Sequence, residues 1–126
     1  MEQLFAHLIG DYFLQSDWQA LNKRKIWWIA LFHSVLYSIP FLWLSPSLNA
    51  YFVILYTHAL IDHYGIARYV VWAHNWIGTA ERPGEWKYCT VTGFSHTRPD
   101  FITVWLLIIT DNAMHLMINY AALRWL

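Results

Sequence analysis

One cysteine, Cys89, stands among 126 residues, which excludes an internal disulfide and leaves the redox compartment open. Charge is also scarce: 13% of the residues are Asp, Glu, Lys or Arg, against roughly a quarter in soluble chains. A surface covered entirely by water is hard to build from so few. Nor does one sign dominate, since eight basic residues balance eight acidic ones, and no nucleic acid or other polyanion is indicated as a partner. The opening MEQLFAHLIGD has no basic region and no small-residue cleavage site, so a removable signal peptide is not expected. Repeats and low-complexity tracts are lacking, and the length suits a single domain over 1–126.

Apolar and aromatic side chains are abundant instead. Hydrophobic residues make up 58% of the chain, with nine Trp, eight Tyr and seven Phe. Amphipathic aromatic rings collect at membrane interfaces, and the tryptophans are read as anchors there. Four apolar segments follow one another, at about 3–15, 26–44, 50–71 and 101–123. The second, Ile26 to Leu44, runs 19 residues without a Lys, Arg, Asp or Glu, close to the roughly 20 needed to cross a bilayer. The third and fourth are long enough to cross but carry ionisable residues near their middles, and the first is short for a full span. SPSLN, residues 45–49, is a tight turn that predicts a hairpin of the second and third segments, and the Gly- and Pro-containing stretch 74–100 reads as a polar loop. The fold expected is therefore all-α: an integral membrane bundle of four helical segments.

Orientation follows from the basic residues. Lys23, Arg24 and Lys25 lie between the first two segments, Arg68, Arg82, Lys87 and Arg98 lie around the loop, and Arg124 alone falls on the other side. The positive-inside rule then predicts a cytoplasmic loop and both termini on the far side. The run NKRK is read as a topology determinant and headgroup contact.

Against this apolar background the histidines and aspartates are patterned. HLIGDYFLQ places His7, Asp11 and Gln15 four apart, HALID does the same for His58 and Asp62, and DNAMH for Asp111 and His115. His96 and Asp100 in the loop make a fourth His/Asp pair at this spacing, where chance gives on the order of half a pair. On a helix such residues share one face. With the first and third segments running inward and the fourth outward, the orders agree in depth. His7, His58 and His115 form an outer tier, and Asp11, Asp62 and Asp111 an inner one about one turn, roughly 6 Å, below. His33, in the second segment, is able to join either tier.

Ionisable groups within a span are costly and normally mark a function. Mixed imidazole and carboxylate donors suit a divalent cation, Zn²⁺ first, with Mn²⁺ or Fe²⁺ as alternatives. The expected ligand pool is His7, Asp11, His33, His58, Asp62, Asp111 and His115, with Gln15, Ser34 and Asn112 orienting it, and Asp11, Asp62 or Asp111 serving catalysis as ligand or general base. A bland alternative is that His-Asp bonds simply join helices. His63 falls on a different face and is read as peripheral, and Cys89 with His96 gives too few ligands for a second zinc site.

HLIGDYFLQSDW, HALIDHYGIARYVV and TRPDFITVWLLIITDNAMHLMINYAALRWL together resemble the small membrane proteins of the domain of unknown function 3307 family of bacteria and their phages. The resemblance covers nearly the whole chain. It implies a multi-pass protein of the bacterial inner membrane with a phage or prophage source, and it implies no reaction. In layout the chain is also similar, more distantly, to predicted membrane-bound metal-dependent hydrolases. The leading expectation is a metal-dependent hydrolase acting on a lipid-linked or membrane-proximal substrate. The alternatives are a non-enzymatic phage protein that modifies the host envelope or excludes other phages, and a path for ions or protons.

Overall fold

A computed structural model describes residues 1–77 and 82–126, and those residues form helices and turns without a strand. Six α-helices follow in order: α1 Glu2–Leu8, α2 Asp17–Asn22, α3 Trp27–Ser38, α4 Leu48–Tyr64, α5 Ile66–His74 and α6 Asp100–Trp125. The all-α expectation holds at this level. Contacts divide the chain into two compact units, the first made of 1–64 with 115–126 and the second of 65–114.

In the first unit, α1 passes directly into a π-helical turn, Ile9–Phe13, closed by a bond from Leu14 N to Ile9 O at 3.0 Å. A π turn inside a helix changes the angular step between side chains and frequently sits at a functional site. Here it carries Gly10 and Asp11, both buried. The glycine lets the turn lie against α3: a Cβ on Gly10 would stand 2.6 Å from the Tyr37 carbonyl oxygen and 3.0 Å from its Cα.

After the π turn the chain folds back through α2, a helix absent from the four expected segments. Ser16 and Gln19 close its N-terminus as a capping box, with Ser16 Oγ accepting from Gln19 N at 3.2 Å and Gln19 Oε1 accepting from Ser16 N at 2.8 Å. Lys23 caps its far end.

The expected hairpin is present. A 3₁₀ stretch, Ile39–Leu44, continues α3 and stops at Ser45, whose left-handed backbone (φ 49°) turns the chain through Pro46 into α4. Residues facing each other across the pair have numbers that rise in α3 as they fall in α4: His33 meets His58, Ser34 donates to the Leu55 carbonyl, and Ser38 Oγ lies 2.9 Å from Tyr51 Oη. The two helices are antiparallel. Similar reasoning sets α1 antiparallel to α3 (His7 with Tyr37, Asp11 with His33) and the end of α6 antiparallel to α4 (His115 with Asp62, Leu126 with Ser47). The helix directions that the two-tier expectation needs are therefore found. Ala6, Tyr37, Phe41, Ala50, Ile54 and Ala122 make the core.

Where one segment over 50–71 was expected, α4 ends at Tyr64 and Gly65 adopts φ 59°, ψ 49° before α5 begins. Glycine is the residue that takes this left-handed conformation without a Cβ clash, so it stops a helix cleanly. In the second unit, α5 packs on its own loop. Tyr69 stacks on Trp86 of a 3₁₀ turn, Trp86–Tyr88, with ring centres 4.4 Å apart, and Arg68 Nη1 donates to Thr90 O at 2.9 Å. Residues 78–81 of the expected polar loop lie outside the described residues.

Two helical stretches, Trp27–Leu44 and α6, are long and apolar enough to cross a membrane. Placing a methyl group on Gly10 should press the π turn off α3 and cost about 1–3 kcal/mol, the usual range for overpacking. Gly10→Ala is expected to lower the unfolding midpoint of the detergent-purified protein, measured by circular dichroism, by several degrees. An unchanged midpoint would mean that the close approach at Tyr37 is not tight.

Candidate metal centre

Four side chains from three elements converge inside the first unit. Asp11 comes from the π turn, His33 from α3, and His58 and Asp62 from successive turns of α4, and all four are buried. Their donor atoms lie within 4.8 Å of one another. His58 Nε2 is 3.0 Å from His33 Nε2 and 3.1 Å from Asp62 Oδ2, and His33 Nε2 is 3.2 Å from Asp11 Oδ1 and 3.3 Å from Asp62 Oδ2. His58 Nε2 lies 3.8 Å from Asp11 Oδ1. Bonds of 2.0–2.1 Å to a tetrahedral ion set neighbouring donors about 3.3 Å apart, the scale found here.

The donor chemistry agrees with that geometry. Asp11 Oδ1 and Asp62 Oδ2 are buried without a hydrogen bond of acceptable angle, although both have nitrogens close by. The Lys23 ammonium, 2.7 Å from Asp62 Oδ2, meets part of their need for a cation, and a metal ion would meet the rest. Two carboxylates and two neutral imidazoles also balance the charge of a divalent ion. The buried group can hold a metal. Ligating imidazoles usually donate their other nitrogen to an acceptor, whereas Nδ1 of His33 and of His58 has no hydrogen-bond partner among the described residues. Ring packing fixes the His58 plane instead, because Tyr37 stacks on it with centres 3.5 Å apart and planes 13° apart.

The other expected ligands are distributed around this group. His115 is buried against it, with Nε2 3.5 Å from Asp62 Oδ1 and its ring centre 4.1 Å from that of His58. His7 is one step removed: Nδ1 lies 2.9 Å from Tyr37 Oη, and its ring is 6.0 Å from His115. Asp111 lies in the second unit, four residues before His115 on α6. The outer tier of rings is thus recognisable in His58 and His115, while His33 joins the carboxylates and His58 reaches down to them. Of the groups expected to orient ligands, Gln15 donates from Nε2 to Asp11 O at 3.3 Å. Ser34 ties α3 to α4 instead, and Asn112 Nδ2 donates to the Ile108 carbonyl of its own helix at 2.7 Å. His63 holds the Lys23 carbonyl, 2.9 Å from its Nδ1, and stacks on Trp27. In the second unit Cys89 is buried with Sγ 3.1 Å from Pro83 O, burial raising its thiol pKa, and neither it nor His96 belongs to a candidate metal group among the described residues.

Three contributors were not singled out from the sequence. Tyr37 Oη accepts from Asn119 Nδ2 at 2.6 Å while meeting His7, so one hydroxyl joins α1, α3 and α6 in the core. Lys23 is the larger omission. Its Nζ lies 2.7 Å from Asp62 Oδ2, 3.5 Å from His33 Nε2 and 3.9 Å from Asp11 Oδ1, and it donates to Gln15 Oε1 at 2.6 Å. Read as one of three loop cations, it is in fact part of the cluster. The capping box at Ser16 and Gln19 was the available signal, since it shortens the loop and turns Lys23 inward.

Comparison with known proteins finds no matching family model, no matching curated protein and no matching solved structure.

Because Tyr37 serves two buried polar partners but donates no ligand, Tyr37→Phe should separate stability from ion binding. Removing the hydroxyl that meets the His7 and Asn119 side chains is expected to cost about 1–3 kcal/mol. Denaturant unfolding should register that loss while the metal content per chain stays at the wild-type value. Loss of metal in parallel with stability would place Tyr37 in the ion's immediate surroundings.

Proposed function

We propose that this chain is a multi-pass bilayer protein that binds one divalent metal ion, Zn²⁺ first and Mn²⁺ or Fe²⁺ next, through Asp11, His33, His58 and Asp62. Its reaction on this reading is hydrolysis of a lipid-linked or membrane-proximal substrate. The observation that carries the reading is the four-atom group itself, spaced for tetrahedral ligation and containing two buried carboxylate oxygens without proper hydrogen bonds. A divalent ion held there would supply Lewis acidity, lowering the pKa of a water bound to it towards neutrality. Asp11, His33, His58 and Asp62 would hold the ion, and hydrolysis on this reading needs a fifth position, which such an ion can open, for water.

Surface character supports the bilayer. Only 11% of the most apolar window of α6 is buried, whereas the core helix of a soluble protein is mostly enclosed. Phe101, Trp105 and Ile109 of that helix are exposed, as are Phe13 and Trp43 of the first unit. Contiguous apolar surface of this sort needs lipid or a partner to cover it. The resemblance to the domain of unknown function 3307 family favours the inner membrane and a phage or prophage source. A second reading, proton passage, draws on the buried file of rings from His33 through His58 and His115 to His7 and Tyr37.

Metal analysis separates the two. Detergent-purified protein should carry about one equivalent of metal per chain, and His58→Ala and Asp62→Asn should each lower its affinity tenfold or more, as expected for loss of a direct ligand. Negligible metal in the wild-type protein would sink this proposal and leave proton passage. Topology needs a different probe, because the buried Cys89 thiol is a poor target for labelling. In a Cys89→Ser background, Lys87→Cys offers a thiol at an exposed position. It should resist a membrane-impermeant reagent in intact cells and react after lysis; reaction in intact cells would reverse the proposed orientation.

A further inference from the structure

Lys23 is the one member of the cluster whose placement serves neither ligation nor packing of the core. Its backbone is fixed from two directions, by the α2 capping box before it and by His63 Nδ1 at its carbonyl. Gln15 Oε1 takes one of its donors at 2.6 Å and Asp62 Oδ2 lies 2.7 Å away. A flexible ammonium is thus held in one place, against the face of the donor group formed by Asp11, His33 and Asp62. It is also the outermost part of the site: the Lys23 side chain is 15% exposed, compared with 9% for Asp11, 3% for Asp62, 1% for His58 and 0% for His33. Anything entering from solvent on this side meets Lys23 first.

Charge then selects the class of ligand. Two carboxylates offset a divalent ion, both imidazoles bind as neutral donors, and Lys23 adds one further positive charge. The ion and these five side chains would together sum to about +1 in a setting where water screens charge poorly. Such a centre favours an anion over a neutral ester or amide. An ammonium next to a divalent ion is the pairing used for phosphoryl oxygens, with the lysine acting as a point charge and the ion as a Lewis acid. Arg24 and Lys25 follow in sequence and are exposed, so the approach to Lys23 is positive as well.

From this arrangement we infer that the centre recognises a phosphate anion, with Lys23 as its direct contact beside the metal. The inference rests on the metal reading above and names the substrate class for it. Phosphate chemistry has two sources here, a lipid headgroup and a soluble phosphate. Exposed Trp18, Leu21 and Trp28 surround the α2 segment, with the two tryptophan rings 5.6 Å apart, and such a rim suits a headgroup presented at an interface.

Calorimetric titration of the detergent-purified, metal-loaded protein tests the inference with three probes: inorganic phosphate, dihexanoyl phosphatidic acid and dihexanoyl phosphatidylcholine. Inorganic phosphate and the phosphatidic acid should bind, and the phosphatidylcholine, whose phosphate is masked by choline, at least tenfold more weakly. Tighter binding of the phosphatidic acid than of phosphate assigns the headgroup; equal binding assigns soluble phosphate. Lys23→Gln should weaken both active probes tenfold or more at unchanged metal content, and Lys23→Arg should restore most of the affinity. Gln15→Met, which removes the anchor of Lys23 but not its charge, provides a second variant and should show a smaller loss in the same direction. A metal-loaded wild-type protein that binds neither phosphate probe overturns the inference, as does undiminished binding by Lys23→Gln, or loss of the metal from that variant. A wild-type protein without metal refutes the metal reading itself, a separately visible result.

Discussion

Two carboxylates buried side by side are the constraint on which the first unit is built. Asp11 and Asp62 arrive from different elements and meet the same two imidazoles and the same ammonium. Burying even one ionised carboxylate is expensive, and two near each other add mutual repulsion. Lys23 compensates one negative charge, so a second cation, a metal or a proton, is required for balance. Breaking a buried ion group by removing one partner leaves an uncompensated charge, which is far more costly than never having built the group. Such a cluster therefore acts through specificity: it fixes which residues of the π turn, α3 and α4 face one another.

Backbone geometry is adjusted around that requirement. The π turn carries Asp11 at the point where Gly10 allows the backbone to touch Tyr37, and Tyr37 in turn stacks on His58. One residue of α3 thereby links the position of a carboxylate on the first segment to the plane of an imidazole on α4. Its hydroxyl adds His7 and Asn119 to the same assembly. The apolar core beside it, Phe41, Ala50, Ile54 and Ala122, is small and close-packed. Ala50 on α4 and Ala122 on α6 are small enough to let those helices approach closely. Core and site therefore meet at Tyr37, its ring packed on His58 and its hydroxyl joining His7 and Asn119.

How much of this was legible in the sequence depended on whether a signal was local. The four-residue spacing of His7 with Asp11, His58 with Asp62 and Asp111 with His115 is local, and Asp11, His58, Asp62 and His115 from that pattern lie buried close together. Ser45 to Asn49 announced the hairpin, and helix directions followed from it. His33 had no spacing partner and was placed only loosely; its role appears once α3 and α4 are set antiparallel. The π turn has no residue signature of its own and could not be foreseen. Two further signals were present but outweighed: Ser16 with Gln19 marks a helix start, and Gly65 after Tyr64 marks a helix end. Reading long apolar runs as single segments hid both. Lys23 was misjudged because basic residues near apolar segments are ordinarily counted by side, and counting by side ignores where a side chain returns to the fold.

The location of the cluster along the bundle bears on what it is able to act on. Asp62 lies in the last turn of α4 and Asp11 near the end of the first segment, while His33 is within two turns of the start of α3. These three helical ends lie near α2 and the Lys23 to Lys25 run, beside which Trp18 of α2 and Trp28 of α3 are exposed. A site at mid-bilayer depth would meet lipid tails and few reactants apart from protons and ions. One placed a turn or two below an aromatic and basic rim meets headgroups, phosphates and water instead, and water is the second reactant of any hydrolysis. On the bilayer reading proposed above, the end placement favours chemistry at the membrane surface over passage through the membrane, and the partial exposure of Lys23 marks the open side of the site.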